Sequence, residues 1–227
     1  MSEEYNVVAL LPMKANSERV PNKNFRELAG KPLFLWVLEK LLHVDSIDKV
    51  VINTDARGIL EEFEEIHNSK VILRDRPESI CGDMVSMNAV LENDVNNINS
   101  KTYLMTHTTN PFIEIGTIEE CIEIFIAKMA NEESDSLFTV NKIQTRFYRK
   151  DGSPVNHDPE NLLRTQDLEP WYEENSNLYL FSKDSFLQTN ARIGKRPYLY
   201  VMNTLESLDI DGPDDWDLAQ TIAENNA

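Results

Sequence analysis

Short apolar runs alternate along this chain with longer segments whose apolar positions recur at helical spacing. Val7–Leu11 reads as a first strand. Pro32–His43 then carries Leu33, Trp36, Val37, Lys40 and Leu41 at the spacing of a helix. Lys49–Asn53 predicts a second strand ending in Thr54-Asp55, Ile59–His67 a short acidic helix, and Lys70–Leu73 a third strand. After the loop RDRPESICGD a helix is predicted through Met84–Val95. A buried strand over Thr102–Thr106, an amphipathic helix over Thr117–Met129 and a strand over Ser136–Val140 follow. Strands alternating with helices imply a parallel sheet joined by right-handed crossovers. The expected class is α/β, a Rossmann-like three-layer α/β/α fold with a mainly parallel sheet.

The rhythm breaks between Asn141 and Arg196, where the sequence is polar, turn-rich and without sustained helical periodicity. A loop of that length inside one domain implies a task. Asp151-Gly152, between Phe147-Tyr148-Arg149 and Val155, reads as a hairpin turn. Trp171, Tyr172, Tyr198 and Tyr200 favour a surface that packs against something, since aromatics are enriched at interfaces. A plain surface excursion is the other reading. With 227 residues, 41% of them hydrophobic and 27% charged, the chain is expected to form a single domain over 1–227, with 141–196 protruding.

The formal net charge of -17 argues against DNA, RNA or an anionic membrane as partner. No apolar run reaches the length of a membrane span, and MSEEYN lacks the basic and apolar regions of a signal peptide. Cys81 and Cys121 are too few for a disulfide scaffold, so a reducing cytoplasm is the expected location. Against this acidic background, Lys14, Arg19, Lys23 and Arg26 crowd into one loop directly after the first strand, beside Ser17, Asn22 and Asn24. Open α/β sheets bind ligands outside the carboxyl ends of their strands, so this position favours a phosphate site over a solvated loop. A dinucleotide-binding G-x-G-x-x-G is absent there, which speaks against a nicotinamide-dependent dehydrogenase.

Further along, SLDIDGPDDWDLA places Asp209 and Asp211 two residues apart. In an extended segment both project to one face, which suits Mg²⁺ because that ion takes a few carboxylates and completes its shell with phosphate and water. Capping of a helix starting near Pro213 is the equal alternative, with Asp211, Asp214 and Asp215 in the right place. Arg74-Asp75-Arg76-Pro77 supplies two more cations after the third strand, and Asp83 stands where it would cap the helix from Met84.

The segment LPMKANSERVPNKNFRELAGKPL resembles the N-terminal motif of the sugar-acid cytidylyltransferases, roughly P-A-R-G-G-S-K-R-I-P-x-K-N followed by L-x-G-K-P-L. That family includes the CMP-sialic acid synthetases and the related legionaminate, pseudaminate and KDO enzymes. The chain keeps Ser17, Arg19, Pro21, Lys23, Asn24, Gly30, Lys31 and Pro32. It departs at Lys14, a point charge where arginine is usual, and at Ala15-Asn16 where glycines are usual. The resemblance implies that Lys14, Ser17, Arg19, Lys23 and Asn24 cradle the triphosphate of CTP, with Lys14, Lys23 and Asp211 carrying the catalysis. It implies that Asp209 and Asp211 hold Mg²⁺, that Arg74 or Arg76 contacts nucleotide, and that Asp83 sits near the base.

THTTNPF resembles L-Q-P-T-S-P-L, which places His107 where glutamine commonly faces the sugar, with Thr109 and Asn110 beside it. A structural role for that histidine is the other reading. RTQDLEPWYEENSNLYLF resembles R-x-Q-x-L-x-x-x-Y-x-x-N-G-A-I-Y, which implies Arg164, Gln166 and Asn175 as acceptor residues, with Ser176 replacing a glycine. Arg164 serves equally as an interface or surface residue. In the resembled family 141–196 corresponds to a dimerisation arm covering the sugar site, so a homodimer is expected. The implied reaction is Mg²⁺-dependent transfer of CMP from CTP to the anomeric hydroxyl of a nonulosonic, sialic-type sugar acid. A KDO-type or other acid-sugar enzyme is the near alternative, and a non-catalytic sugar-nucleotide-binding homologue the distant one.

Overall fold

A computed structural model of the chain describes residues 4–17, 19–82 and 84–225. In chain order the elements are β1 (Tyr5–Leu10), β2 (Glu27–Leu28), β3 (Lys31–Pro32), α1 (Leu33–His43), β4 (Lys49–Thr54), α2 (Arg57–Leu60) and β5 (Val71–Asp75). There follow α3 (Met87–Asn97), β6 (Ser100–Thr106), α4 (Ile115–Ala130), β7 (Ser136–Ile143), β8 (Trp171–Ser182), α5 (Lys183–Thr189), β9 (Pro197–Val201) and α6 (Pro213–Asn225). The main sheet has seven strands in the order β5-β4-β1-β6-β8-β7-β9. All pairings are parallel except those of β8, which runs against both β6 and β7.

From Val7 to Leu10 the first strand is apolar and buried, with both of its faces covered. Val7 and Ala9 point into a core layer with Phe34, Val37, Leu38 and Leu41 of α1 and Ile118, Ile122 and Phe125 of α4. Val8 and Leu10 point the other way, onto Leu91 and Val95 of α3 and Phe186 of α5. The three layers expected from the sequence are thus present. A smaller cluster packs Trp216, Ala219 and Ala223 of α6 on Val20, Leu28 and Leu33, which seats the C-terminal helix against the loop after β1. Among the described residues no helix is long and apolar enough to cross a membrane.

Several elements differ from their sequence reading. Ile59–His67 is not one helix: α2 ends at Leu60, and Glu64–His67 forms a separate 3-10 turn. Glu61, Glu62, Glu64 and Glu65 would repel one another at helical spacing, which disfavours a continuous helix. Helix α3 starts at Met87, not Met84, because Ser86 is its N-cap and accepts from the Ala89 N–H at 3.3 Å.

The largest difference lies within 141–196. Strand β8, 12 residues long, and helix α5 both belong to the body of the molecule, so the excursion narrows to 144–170, between β7 and β8. The polar run EENSN concealed β8, yet Asn175 and Asn177 within it are buried and hydrogen-bonded. Ser176 takes a left-handed φ of 56° where the β7–β8 register shifts, a conformation that glycine adopts at lower cost. The Asp151-Gly152 turn forms as read: Gly152 has φ 83°, and Tyr148 bridges Pro154.

Candidate active site

Strand β1 lies between β4 and β6, and the chain leaves it in opposite directions on the two sides. Such a switch point opens a crevice at the carboxyl ends of the strands. Here the crevice is a cavity of about 220 Å³. Lys14, Ser17, Lys23 and Asn24 line it from the loop after β1, Arg76 from the segment after β5, and His107 and Thr109 from the segment after β6. Residues far apart in sequence meet because each follows a strand end.

The loop after β1 is tied down at several points. Asn24, 5% exposed, donates from its amide to the Lys14 carbonyl at 2.7 Å, while its amide oxygen accepts from the Thr108 hydroxyl at 2.6 Å. It therefore joins the β1 and β6 loops, with both ends of its amide engaged. Asp55 at the end of β4 accepts from the Ala15 N–H at 2.7 Å. Lys23 Nζ donates to the Ile210 carbonyl at 2.6 Å and stands 3.9 Å from Asp211. Burial lowers the Lys23 pKa, against the pull of Asp211 and Asp209.

Capping and ligand roles separate cleanly in the acidic segment. Asp215 accepts from the Asp211 and Gly212 N–H groups at 3.0 and 2.8 Å, so the start of α6 is capped by Asp215. The Asp211 side chain turns instead to the basic loop, 3.1 Å from Arg19, and remains 60% exposed. Asp209 is half-buried, and its Oδ1 is buried without a hydrogen-bond partner. Burial raises the Asp209 pKa, opposed by a hydrogen bond from Thr109 and reinforced by Asp211. Two adjacent carboxylates, one with an orphaned oxygen, are a donor set that a divalent cation would satisfy.

On the opposite wall, burial and then the charges of Arg192 and Lys23 push the His107 pKa down to about 3, which keeps the imidazole neutral. Next to this wall a second hollow of about 310 Å³ is lined by Ser86, Met87, Asn88, Glu174, Ala191, Arg192 and Ile193; Met87 lines both. Arg192 stacks over Tyr179 at 3.9 Å and donates to its hydroxyl at 3.0 Å.

A family model described as cytidylyltransferase matches residues 8–227. The chain belongs to the cytidylyltransferase family. It is therefore a nucleotidyltransferase enzyme. Among curated relatives it is 26% identical to the CMP-N,N'-diacetyllegionaminic acid synthase of Legionella pneumophila, over 97% of both chains. It is 24% identical to the pseudaminic acid cytidylyltransferase of Campylobacter jejuni, over 96% of this chain and 97% of that one. Against the N-acylneuraminate cytidylyltransferase of Escherichia coli identity is 24%, over 96% of this chain but 52% of the relative. The fold matches a CMP:2-keto-3-deoxy-manno-octonic acid synthetase complexed with CTP, with TM-score 0.69 and 15% identity, over 98% of this chain and all of the other. A 4-diphosphocytidyl-2C-methyl-D-erythritol synthase from Anaerococcus prevotii matches with TM-score 0.67 and 12% identity, over 97% and 96% of the two chains.

Not every residue read from the cytidylyltransferase motifs reaches this cavity. Arg76 lines it, but Arg74 turns under the sheet edge to pair with Asp94 of α3 at 3.2 Å. Asn110 is fully buried and donates to the Leu208 carbonyl at 3.3 Å, bracing the acidic segment. Asn175 sits in the β7–β8 bulge, accepting from Thr139 at 2.6 Å. Arg164 is 73% exposed in the excursion and pairs with Asp167 at 2.6 Å, while Gln166 is exposed beside it. Asp83 lies outside the described residues. Sequence reading missed Arg192, which lines the second hollow; the signal for it was a basic residue in the turn-rich ARIGKRP, a weak one.

Proposed function

We propose that this cytidylyltransferase transfers CMP from CTP to the anomeric hydroxyl of a nonulosonic, sialic-type sugar acid. The observation that carries this reading is the meeting of Lys23, which lines the cavity, with the Ile210 carbonyl and Asp211, which sets the acidic segment against the basic loop. The names of the relatives above support an acid sugar as acceptor. In the reaction the acceptor oxygen forms a bond to the α-phosphorus, the bond to the pyrophosphate oxygen breaks, and the hydroxyl proton goes to solvent. Lys14, Arg19 and Lys23 offset the negative charge of the triphosphate and of the departing pyrophosphate, and Ser17 donates a hydrogen bond to it; alignment and charge stabilisation of this kind are the main contribution open to side chains. Asp209 and Asp211 would hold Mg²⁺, which when bound polarises phosphate and acidifies the attacking hydroxyl. His107, neutral at pH 7, suits hydrogen bonding to the acceptor rather than ion pairing.

The acceptor extends in this reading from the main cavity past Met87 towards Arg192. Replacing Arg192 with leucine should raise KM for the sugar acid about tenfold, the cost of one charge-assisted hydrogen bond, and leave KM for CTP nearly unchanged. Initial rates with each substrate varied in turn measure this, and an unaltered acceptor KM removes Arg192 from the site. Arg164 and Gln166 would reach a sugar acid only across a homodimer contact made by the excursion. The exposed Leu162, Leu163, Trp171 and Tyr172 support such a contact.

Incubation of the protein with CTP, Mg²⁺ and a panel of sugar acids tests the function, with pyrophosphate release as readout. N-acetylneuraminate, legionaminate, pseudaminate and KDO belong in the panel. Release with a nine-carbon acid is the expected result. Release with KDO alone would move the assignment to the eight-carbon class, and silence with every acid would count against the acceptor proposed here.

A further inference from the structure

Below the nucleotide cavity, Arg76 is held by a buried relay that the proposed chemistry does not use. Its Nε donates to the Asn53 side-chain oxygen at 3.0 Å, and its Nη2 to the Asn53 and Met13 carbonyls at 2.8 and 3.2 Å. Asn53, fully buried on β4, donates its amide nitrogen to Asp94 at 2.8 Å. A carboxylate only accepts hydrogen bonds, so an ionised Asp94 fixes which end of the Asn53 amide faces Arg76. With the amide reversed, N–H would confront N–H, and the guanidinium would lose the bond at its Nε, keeping only the two from Nη2 to backbone carbonyls.

We propose that Asp94 is a positioning residue for the nucleotide: through Asn53 it sets the guanidinium of Arg76 at the wall of the cavity. Asp94 touches nothing in that cavity. It is fully buried on α3, where Arg74 of β5 stands 3.2 Å away and its second oxygen is buried without a partner. The other groups facing it are Asn53 of β4, Arg76 beyond that, and Tyr103 of β6, whose own pKa Asp94 helps to raise. Burial pushes the Asp94 carboxyl up to about 6, against the opposing pull of Asn53, Arg74 and Arg76. Above that pH the relay is set by charge; as pH falls through it, a protonated Asp94 no longer dictates the orientation of Asn53.

The inference rests on CTP occupying this cavity, and the test separates the two. Dissociation constants for CTP with Mg²⁺ are measured for the wild type and Asp94→Asn between pH 5 and pH 8. Because the γ-phosphate titrates in the same range, the ratio of the two constants is the quantity to read. At pH 8 the variant should bind about tenfold more weakly, as expected for one misplaced charge-assisted contact. The ratio should then shrink towards one as pH falls below about 6, where wild-type Asp94 also loses its charge. In an Arg76→Ala background Asp94→Asn should have no further effect, since the residues act as one unit. A ratio of one at pH 8, a ratio independent of pH, or a full effect without Arg76 would each overturn the inference. If Asp94→Asn does not fold, Asn53→Ser breaks the relay at its middle with the Asp94–Arg74 pair intact, and carries the same expectation. Absence of CTP binding by the wild type would overturn the assignment of the cavity itself, and this inference with it.

Discussion

Asp211→Ala is expected to reduce CMP transfer at least about a hundredfold, the usual scale for removing one group that stabilises transition-state charge, while the protein stays folded. The side chain is 60% exposed and its partners are Arg19 at 3.1 Å and Lys23 at 3.9 Å. Exposed ion pairs of this kind contribute about 0–1 kcal/mol, so the melting temperature should move by less than about 4 °C. Capping of α6 survives, because Asp215 supplies it. The variant also leaves Asp209 without its companion carboxylate, so the remaining activity should need far more Mg²⁺. Turnover close to wild type at ordinary Mg²⁺ would sink the metal assignment. Asp215→Ala provides the contrast: it removes the cap and should lower stability by about 1 kcal/mol.

The choice between cap and ligand at Asp211 shows where sequence stops. Residues 209 to 215 contain carboxylates at positions that suit either role, and periodicity treats them alike. Only the turn into α6, with Asp215 folded back onto two N–H groups, leaves the Asp211 side chain facing the basic loop. Strands β1, β4, β5, β6 and β7 were legible because each contains a short run rich in β-branched and other apolar residues. Strand β8 was not, because its buried asparagines are satisfied by long-range partners such as Thr139 and Glu206, which local pattern cannot reveal. The basic loop was legible through position as much as composition, since it follows the first strand. Arg74 and Arg76 illustrate the converse. Two residues apart, they project to different places: one to Asp94 and the other to Asn53 and the cavity.

Lys23→Ala should raise KM for CTP by about tenfold to a hundredfold, the range of one or two hydrogen bonds involving a charged group. Two losses combine. The cavity loses a cation whose side chain is only 12% exposed, where screening by water is weak. The acidic segment also loses its tether, because Lys23 Nζ holds the Ile210 carbonyl between Asp209 and Asp211. Lys23→Met separates these losses from simple loss of packing, since methionine keeps most of the buried stem. Lys23→Arg should rescue poorly: the guanidinium is a planar fork, and the lysine position accommodates a compact ammonium aimed at one carbonyl. If the tether matters as much as the charge, both Lys23→Met and Lys23→Arg will also require more Mg²⁺ at half-maximal rate. Unchanged CTP dependence in Lys23→Ala would remove this residue from the site, and it would leave the basic loop as a scaffold rather than a phosphate cradle.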